Sequence, residues 1–211
     1  NSISVLRDTN NDGVLETRGV FADGETAPAP IPPPVPAADQ RPPPRLGVLE
    51  GPQALVPNPS ACTPPPNYAS RGPGGLRLPF GLAFHDDYLY VGNTDSLVRF
   101  AYQAGDLQAR ETPEKLLDLP TGGHSSRNIV FNREGTKLYL AVGSRSNSDA
   151  GEDCRRAAIL EVNPDGTGAR VYASGIRNPV GLTMNPATDM VWTANNERDN
   201  LGDDLVPDYV T

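Results

Sequence analysis

The sequence predicts an all-β fold of the β-propeller type, interrupted by a long proline-rich insertion. Two observations carry this prediction. Short apolar strands, polar turns and aromatic-bearing strands recur in that order about every 50 residues in the second half of the chain. In addition, no part of the 211 residues shows a sustained helical period of apolar residues. The pattern therefore favours blades of antiparallel strands over a helical repeat.

The first 21 residues predict two propeller strands joined by a polar loop. Residues 3–6 and 17–21 carry the apolar and β-branched side chains that strands favour. Residues 8–13 lie between them and are rich in Asp, Asn and Gly, which form turns.

Residues 22–78 predict an insertion or linker outside the hydrophobic core. Seventeen of the 23 prolines lie between Pro28 and Pro79. Proline has no N–H to donate to a sheet, and runs of proline favour the polyproline II conformation. We therefore expect the propeller blades to resume at residue 79 and to continue to residue 211.

The repeats begin at residues 81–84, 128–131 and 180–184, each an apolar strand followed by a polar turn. Further strands are predicted over five ranges: residues 88–91, 97–100, 137–142, 158–162 and 190–193. These make two to three blades, whereas propellers close with about four to eight. We therefore expect further blades on residues beyond this chain or on another chain.

Charge and composition exclude several classes of partner. The formal net charge of −8 disfavours nucleic acid and anionic membrane surfaces, which attract basic proteins. The sequence has no run of 18 apolar residues, so no membrane span is predicted. The two cysteines, Cys62 and Cys154, are compatible with one disulfide or with two thiols.

The loop that begins at Asp8 is a candidate calcium site. Asp8, Asn10 and Asp12 alternate and Gly13 follows, as in the first half of an EF-hand loop. The twelfth position, however, is Gly19 instead of Glu. A structural calcium site and a polar hairpin turn without metal are both compatible with this pattern.

Two loops that immediately precede apolar strands carry candidate ligand-binding residues. In the first loop, His124 follows two glycines that let a ligand approach the backbone, and Arg127 lies three residues further on. In the second, Arg177 is followed by Asn178, a pair that suits a carboxylate-bearing ligand. Each residue has a structural alternative, because a lone His or Arg often only fixes a loop.

An acidic loop follows the strand at 190–193 and could supply oxygen ligands for calcium. Residues 195–208 contain five acidic residues and three asparagines. The alternative is a solvated acidic loop. Because His124 and Arg177 precede the same strand of successive repeats, their loops are expected at one end of the propeller, where ligand pockets form.

The motifs together resemble the glucose/sorbosone dehydrogenase family, and most closely its sorbosone dehydrogenase-like branch. The resemblance rests on Gly122-Gly123-His124 with Arg127-Asn128, on Arg177-Asn178-Pro179 with Gly181-Leu182, and on residues 196–209. It covers residues 1–21 and 79–211. The proline-rich segment has no counterpart in the family, and the family's later cofactor-binding residues lie beyond Thr211.

The resemblance implies a six-bladed propeller that binds pyrroloquinoline quinone and calcium. The implied substrate is a sugar or a related aldose or alcohol, and His124 would take its hydroxyl proton while hydride passes to the quinone. An external electron acceptor and a periplasmic or secreted location are also implied. The implied site residues fall into two groups: the cofactor contacts Arg177, Asn178, Arg127 and Asn195, and the calcium ligands Asn196, Glu197, Asp199, Asp203 and Asp204.

Two other functions are compatible with the sequence. A calcium-dependent propeller hydrolase of the lactonase type would use the acidic loop at 195–208 as part of a metal cage. A propeller without catalytic activity would bind partners and keep only the fold. The pairing of His124 with Arg177 favours the dehydrogenase.

Overall fold

The computed structural model describes residues 1–24, 72–149, 152–202 and 206–211. All of the regular structure in these ranges is β, and the strands form four antiparallel sheets. Nowhere in them does the chain form a helix long and apolar enough to cross a bilayer.

The first sheet is a two-stranded hairpin of β1 (Ser2–Arg7) and β2 (Thr17–Asp23). Phe21 packs edge-on against Phe100 of the neighbouring sheet, with ring centroids 5.7 Å apart. The backbone N–H of Ala109 donates to the carbonyl of Phe21 at 2.7 Å. The hairpin is therefore attached to the first blade by both apolar packing and a backbone hydrogen bond.

The first blade is a four-stranded meander with one short strand added at its outer edge. Its meander runs through β4 (Gly81–His85), β5 (Tyr88–Gly92), β6 (Ser96–Ala101) and β7 (Glu114–Asp118). The edge strand β3 (Gly72–Pro73) pairs with β7.

The second blade is a complete four-stranded meander, and the third comprises three strands. The second contains β8 (Ile129–Phe131), β9 (Leu138–Val142), β10 (Ala158–Val162) and β11 (Arg170–Ser174). The third contains β12 (Pro179–Met184), β13 (Val191–Asn195) and β14 (Tyr209–Val210). The first strand of each blade contacts the first strand of the next, so β8 lies between β4 and β12. This radial order of meanders is that of a β-propeller, as the sequence predicts.

Side-chain alternation explains how the blades stack. In β5, Leu89 and Val91 pack toward the hairpin, whereas Tyr90 packs toward the second blade. In β9, Leu140 joins the core shared with the first blade, and Tyr139 joins the core shared with the third. Because successive side chains point to opposite faces, the first blade packs between the hairpin and the second blade, and the second packs between the first and the third.

The predicted strands match the inner strands of each blade, but the outer strands β7 and β11 and the short strands β3 and β14 were not predicted. β7 and β11 mix charged and apolar residues, so their apolar pattern is weak. β2 and β3 also occupy the two ends of the span assigned to the insertion. Residues 25–71 of that span lie outside the described residues. Cys62 is one of them, so the predicted disulfide between Cys62 and Cys154 lies outside the described residues as well.

Candidate active site

The loops that precede β8 and β12 meet the loops that follow β9 and β13 at one end of the blades. Between them lies an open cavity of about 500 Å³. Its wall includes Phe80, His124, Arg145, Asn147, Arg177 and Asn178. The structure therefore brings together His124, Arg177 and Asn178, which the sequence places in two successive repeats.

The hydrogen-bond partners of His124 fix its tautomer. Its Nδ1 lies 2.8 Å from the carbonyl oxygen of Ser144, and its backbone N–H donates to the same oxygen at 3.1 Å. Because a carbonyl only accepts, Nδ1 must carry the hydrogen. The hydroxyl of Ser144 donates to Ser146 at 2.6 Å, so it too can only accept from Nδ1, 3.2 Å away. The lone pair of the neutral ring is therefore on Nε2.

Gly143 allows His124 and Asn178 to approach the end of β9. A Cβ at position 143 would lie 2.7 Å from the Cβ of His124 and would overlap with Oδ1 of Asn178. The preceding blade shows the same arrangement, because a Cβ at Gly92 would overlap with the carbonyl oxygen of Arg127. Glycine at the end of the second strand of the first and second blades therefore admits the loop that leads into the next blade.

Arg177 is 9% exposed and connects three loops. Its Nε donates to the carbonyl of Asn147 at 2.9 Å, and one terminal nitrogen donates to Oδ1 of Asn147 and to Asp199 at 2.7 and 2.9 Å. The other terminal nitrogen donates to the carbonyls of Asn196 and Glu197. All five N–H groups thus have acceptors within the protein. Asp199 is an exposed acceptor, with 71% of its side chain accessible to solvent.

Of the predicted cofactor contacts Asn195 and Asn178, the structure uses Asn195 within the protein and places Asn178 at the cavity. Asn195 is 2% exposed; its Oδ1 accepts the N–H of Asn178 at 2.8 Å, and its amide donates to Glu197 at 2.7 Å. Asn178 itself lines the cavity, and its Oδ1 accepts the hydroxyl of Ser126 at 3.4 Å. The geometry therefore supports a ligand contact for Asn178 and a positioning role for Asn195.

Arg127 is completely buried beneath the loop that carries His124. Its guanidinium donates to the carbonyls of His124 and Ser126, both at 2.8 Å, and to that of Pro120 at 3.0 Å. Burial, and after it the positive charge of Arg156, lowers its pKa to about 10. This geometry does not support the predicted cofactor contact, because the guanidinium faces the backbone of its own loop.

In the described part of the acidic loop after β13, two of the predicted calcium ligands, Asn196 and Glu197, are used within the protein. The carbonyls of Asn196 and Glu197 already accept N–H groups of Arg177, so a calcium ion there would lie beside a guanidinium. Asp208 accepts the N–H of Glu197 at 2.9 Å and the amide of Asn196 at 2.8 Å. These bonds lower the pKa of Asp208, the bond from Glu197 most. Asp203 and Asp204 lie outside the described residues.

The loop at residues 8–16 gathers three carboxylates instead. Oxygens of Asp8, Asp12 and Glu16 all lie within 4.8 Å of one another, and this is the one such group of metal-binding residues within the described ranges. Asn10 donates its amide to Asp12 at 3.0 Å. Backbone N–H groups, that of Gly13 foremost, lower the pKa of Asp8. Glu16 was not among the predicted ligands, although it is the next carboxylate along the chain.

Four residues of the site carried no motif in the sequence: Gly143, Ser144, Asn147 and Arg156. The glycine was detectable in principle, because Gly92 and Gly143 occupy the same position in successive repeats. Ser144, Asn147 and Arg156 act through contacts with residues 13 to 52 positions away, which no local pattern reports.

The curated proteins that resemble this chain match it over part of its length. An uncharacterized protein of Borreliella burgdorferi is 25% identical over 146 residues, which are 64% of this chain and 38% of that protein. The aldose sugar dehydrogenase YliI of Escherichia coli K12 is 30% identical over 103 residues, 42% of this chain and 27% of the enzyme. The chain thus spans less than half the length of either protein.

Two solved structures share the fold. An iodide structure of a Trichoderma reesei carbohydrate-active enzyme of family AA12 has a TM-score of 0.51 at 19% identity, covering 58% of this chain and 34% of that one. The holo pyrroloquinoline quinone domain of a Coprinopsis cinerea pyranose dehydrogenase has a TM-score of 0.50 at 19% identity, covering 65% of this chain and half of that domain. At this identity the similarity bears on the fold alone.

The family model with the description TrAA12-like matches residues 70–207, which is more than half of the chain and includes His124, Arg177 and Asn178. This match does not support the sorbosone dehydrogenase-like branch that the sequence motifs favoured. The chain belongs to the TrAA12-like family.

Proposed function

We propose that this chain is part of a sugar oxidoreductase that uses pyrroloquinoline quinone, with His124 as the general base. The single observation that carries the proposal is the fixed tautomer of His124 at the wall of an open polar cavity. A neutral imidazole with its lone pair on Nε2 is the form that can accept a proton from a substrate hydroxyl. The names of the similar proteins, an aldose sugar dehydrogenase and a pyranose dehydrogenase, support a sugar as the substrate class.

The donor set of the cavity fits a planar, carboxylate-bearing quinone. Asn178 contributes an amide, Arg145 is exposed on the wall, and Arg177 can exchange its bond to Asp199 for a ligand carboxylate. Half-exposed Phe80 adds an aromatic face to the same wall. When bound, the quinone would supply the acceptor for the two electrons that leave the substrate.

The residues of the chain have separate tasks in this proposal. Ser144 keeps the proton on Nδ1 of His124, so that Nε2 is available to take the hydroxyl proton of a sugar or related alcohol. Asn178 and Arg177 orient the ligand. Regeneration requires an external electron acceptor, and we propose a periplasmic or extracellular location on the strength of the resemblance.

Calcium has no step in this proposal, because the carbonyls of Asn196 and Glu197 hold Arg177. The same bonds disfavour a calcium-dependent hydrolase, because its metal cage would include this loop and two carbonyl oxygens of the loop already accept N–H groups of Arg177.

The test compares quinone binding and turnover in the full-length protein and in His124→Ala. We expect absorbance titration to show the same affinity for pyrroloquinoline quinone in both. The rate of aldose oxidation with an artificial acceptor should fall by about 10² to 10⁴-fold in the variant.

His85→Gln is the matched control, because His85 lies at the end of β4, beside Phe131. We expect this variant to keep full activity. Absence of quinone binding by the full-length protein would contradict the proposal and favour a binding propeller.

A further inference from the structure

Two buried arginines lie beneath the loop that carries His124. Arg156 is 5% exposed and Arg127 is completely buried. Among the described residues neither has a carboxylate within salt-bridge distance, and both donate to backbone carbonyls instead. Burial lowers the pKa of each guanidinium, and the charge of Arg156 adds to the effect on Arg127.

Buried charges of this kind are costly, and apolar residues of similar size often fill such a space with equal or better stability. The two arginines therefore call for an explanation other than core packing. The positions of their hydrogen-bond acceptors provide this explanation. Arg127 and Arg156 together donate to five backbone carbonyls, and four of these lie in the loop between β7 and β8: those of Pro120, Thr121, His124 and Ser126.

Arg156 bonds to two separate segments of the chain next to His124. One terminal nitrogen donates to the carbonyl of Thr121 at 2.6 Å and the other to that of Gly143 at 3.1 Å. The Gly143 backbone lies against His124 and Asn178, and the carbonyl of the next residue, Ser144, accepts both N–H groups of His124. Arg156 thus joins the loop that carries the base to the segment that fixes its tautomer.

The backbone beside Arg156 is held in an uncommon conformation. Ala157 has a φ of 49°, in the left-handed region that L-residues seldom adopt. The N–H of Ile176 donates to the carbonyl of Ala157 at 3.0 Å, which links this turn to the loop of Arg177. Backbone strain of this type persists where surrounding contacts enforce it, and it is common near functional sites.

We propose that Arg156, with Arg127 beneath it, is a positioning residue that fixes the orientation and the tautomer of His124 by bridging Thr121 and Gly143. This inference rests on the proposed function, in which His124 is the base. It predicts that loss of Arg156 changes the ratio of the two tautomers of the His124 ring without unfolding the blades.

Nitrogen-15 NMR of the histidine rings tests the inference without quinone or substrate. The chain contains two histidines, and His85 serves as the internal reference, because its ring packs on Phe131 at the end of β4. The native protein should show His124 in the single neutral tautomer protonated at Nδ1. In Arg156→Met we expect a mixture of the two tautomers at His124 and an unchanged His85 signal. Arg156→Lys, which keeps the charge but cannot span both carbonyls, should show an intermediate mixture.

Arg99→Met is the matched control. Arg99 is a mostly buried arginine of the first blade that donates to the carbonyl of Pro164 and pairs with Glu114 at 2.7 Å. We expect it to lower stability while His124 keeps its single tautomer. An unchanged His124 tautomer in folded Arg156→Met would overturn the inference. If that variant does not fold, a native tautomer in Arg156→Lys overturns it instead.

Kinetics of the full-length protein provide a second readout. Misplacement of the base should lower kcat by about 10²-fold in Arg156→Met and leave KM unchanged, because the ligand contacts of Asn178 remain. Failure of quinone binding in the native protein would refute the proposed function, but it would leave the NMR result intact. The two failures are therefore distinguishable.

Discussion

The loop at residues 8–16 and the loops around His124 are both polar, but they are held together in different ways. In the first, Asp8 and Glu16 accept hydrogen bonds from residues two to seven positions away. In the second, His124 bonds to a residue 20 positions away, and Asn147 bonds to Asp199 across 52 positions. The first region is a local structure, whereas the second exists only when three blades are assembled.

This difference determines what each region can do. The local loop concentrates carboxylates at the surface, where a hard cation is the natural ligand. The active-site loops bury Arg127, Arg156 and Arg177, so that hydrogen bonds of these groups are strong and an unpaired group among them is costly. A single substitution should therefore have a large effect at the second region and a small effect at the first.

The largest effect is expected for Arg177→Met. The substitution leaves the carbonyls of Asn147, Asn196 and Glu197 without their donor and should lower the free energy of unfolding by about 3 kcal/mol. Urea unfolding measures this change. Arg198→Met is the control, because Arg198 is the exposed arginine next to Glu197. Equal stabilities of the two variants would show that Arg177 does not connect the loops.

A smaller effect is expected for Gly143→Ala, which removes no hydrogen bond. The new methyl group must displace His124 or Asn178, and we expect a loss of about 1–3 kcal/mol in the free energy of unfolding. Quinone affinity of the full-length protein should also fall, because both displaced residues line the cavity. At Gly75 a Cβ meets nothing within 4 Å, so Gly75→Ala is the matched control and should keep native affinity. Native affinity in Gly143→Ala would contradict the close approach.

The smallest effect is expected for Asp8→Asn in the local loop. Backbone N–H groups lower the pKa of Asp8 from its ordinary value of 3.8, so the carboxylate stabilises the fold above that pH and loses this effect as pH falls through the lowered pKa. Thermal melts should therefore separate the variant from the native protein at neutral pH and converge below the lowered pKa.

Calcium binding provides a second test of the loop at residues 8–16. If Asp8, Asp12 and Glu16 bind the ion, added calcium raises the melting temperature of the native protein and of Asp87→Asn, an exposed control, but not that of Asp8→Asn. A calcium effect that is the same in all three proteins would place the ion elsewhere.

The sequence by itself determined the fold class and most of the inner strands. Apolar runs such as 88–91 and 138–142 are evident in the local sequence, because both faces of these strands are buried. The loop at residues 8–16 was also evident, since its Asp and Asn residues bond to the backbone a few positions away. The strands β7 and β11 escaped prediction, because charged residues interrupt their apolar pattern.

The tertiary structure alone decided what the polar residues of the site do. His124, Arg177 and Asn178 were predicted together, since repeat symmetry puts their loops at one end of the propeller. Sequence could not separate Arg177, which lines the cavity, from Arg127, which is buried beneath it, because both precede a strand in the same local context. It also could not indicate Gly143, Ser144 or Arg156. Their roles depend on distances between separate blades, which are set by how the sheets pack and not by any pattern along the chain.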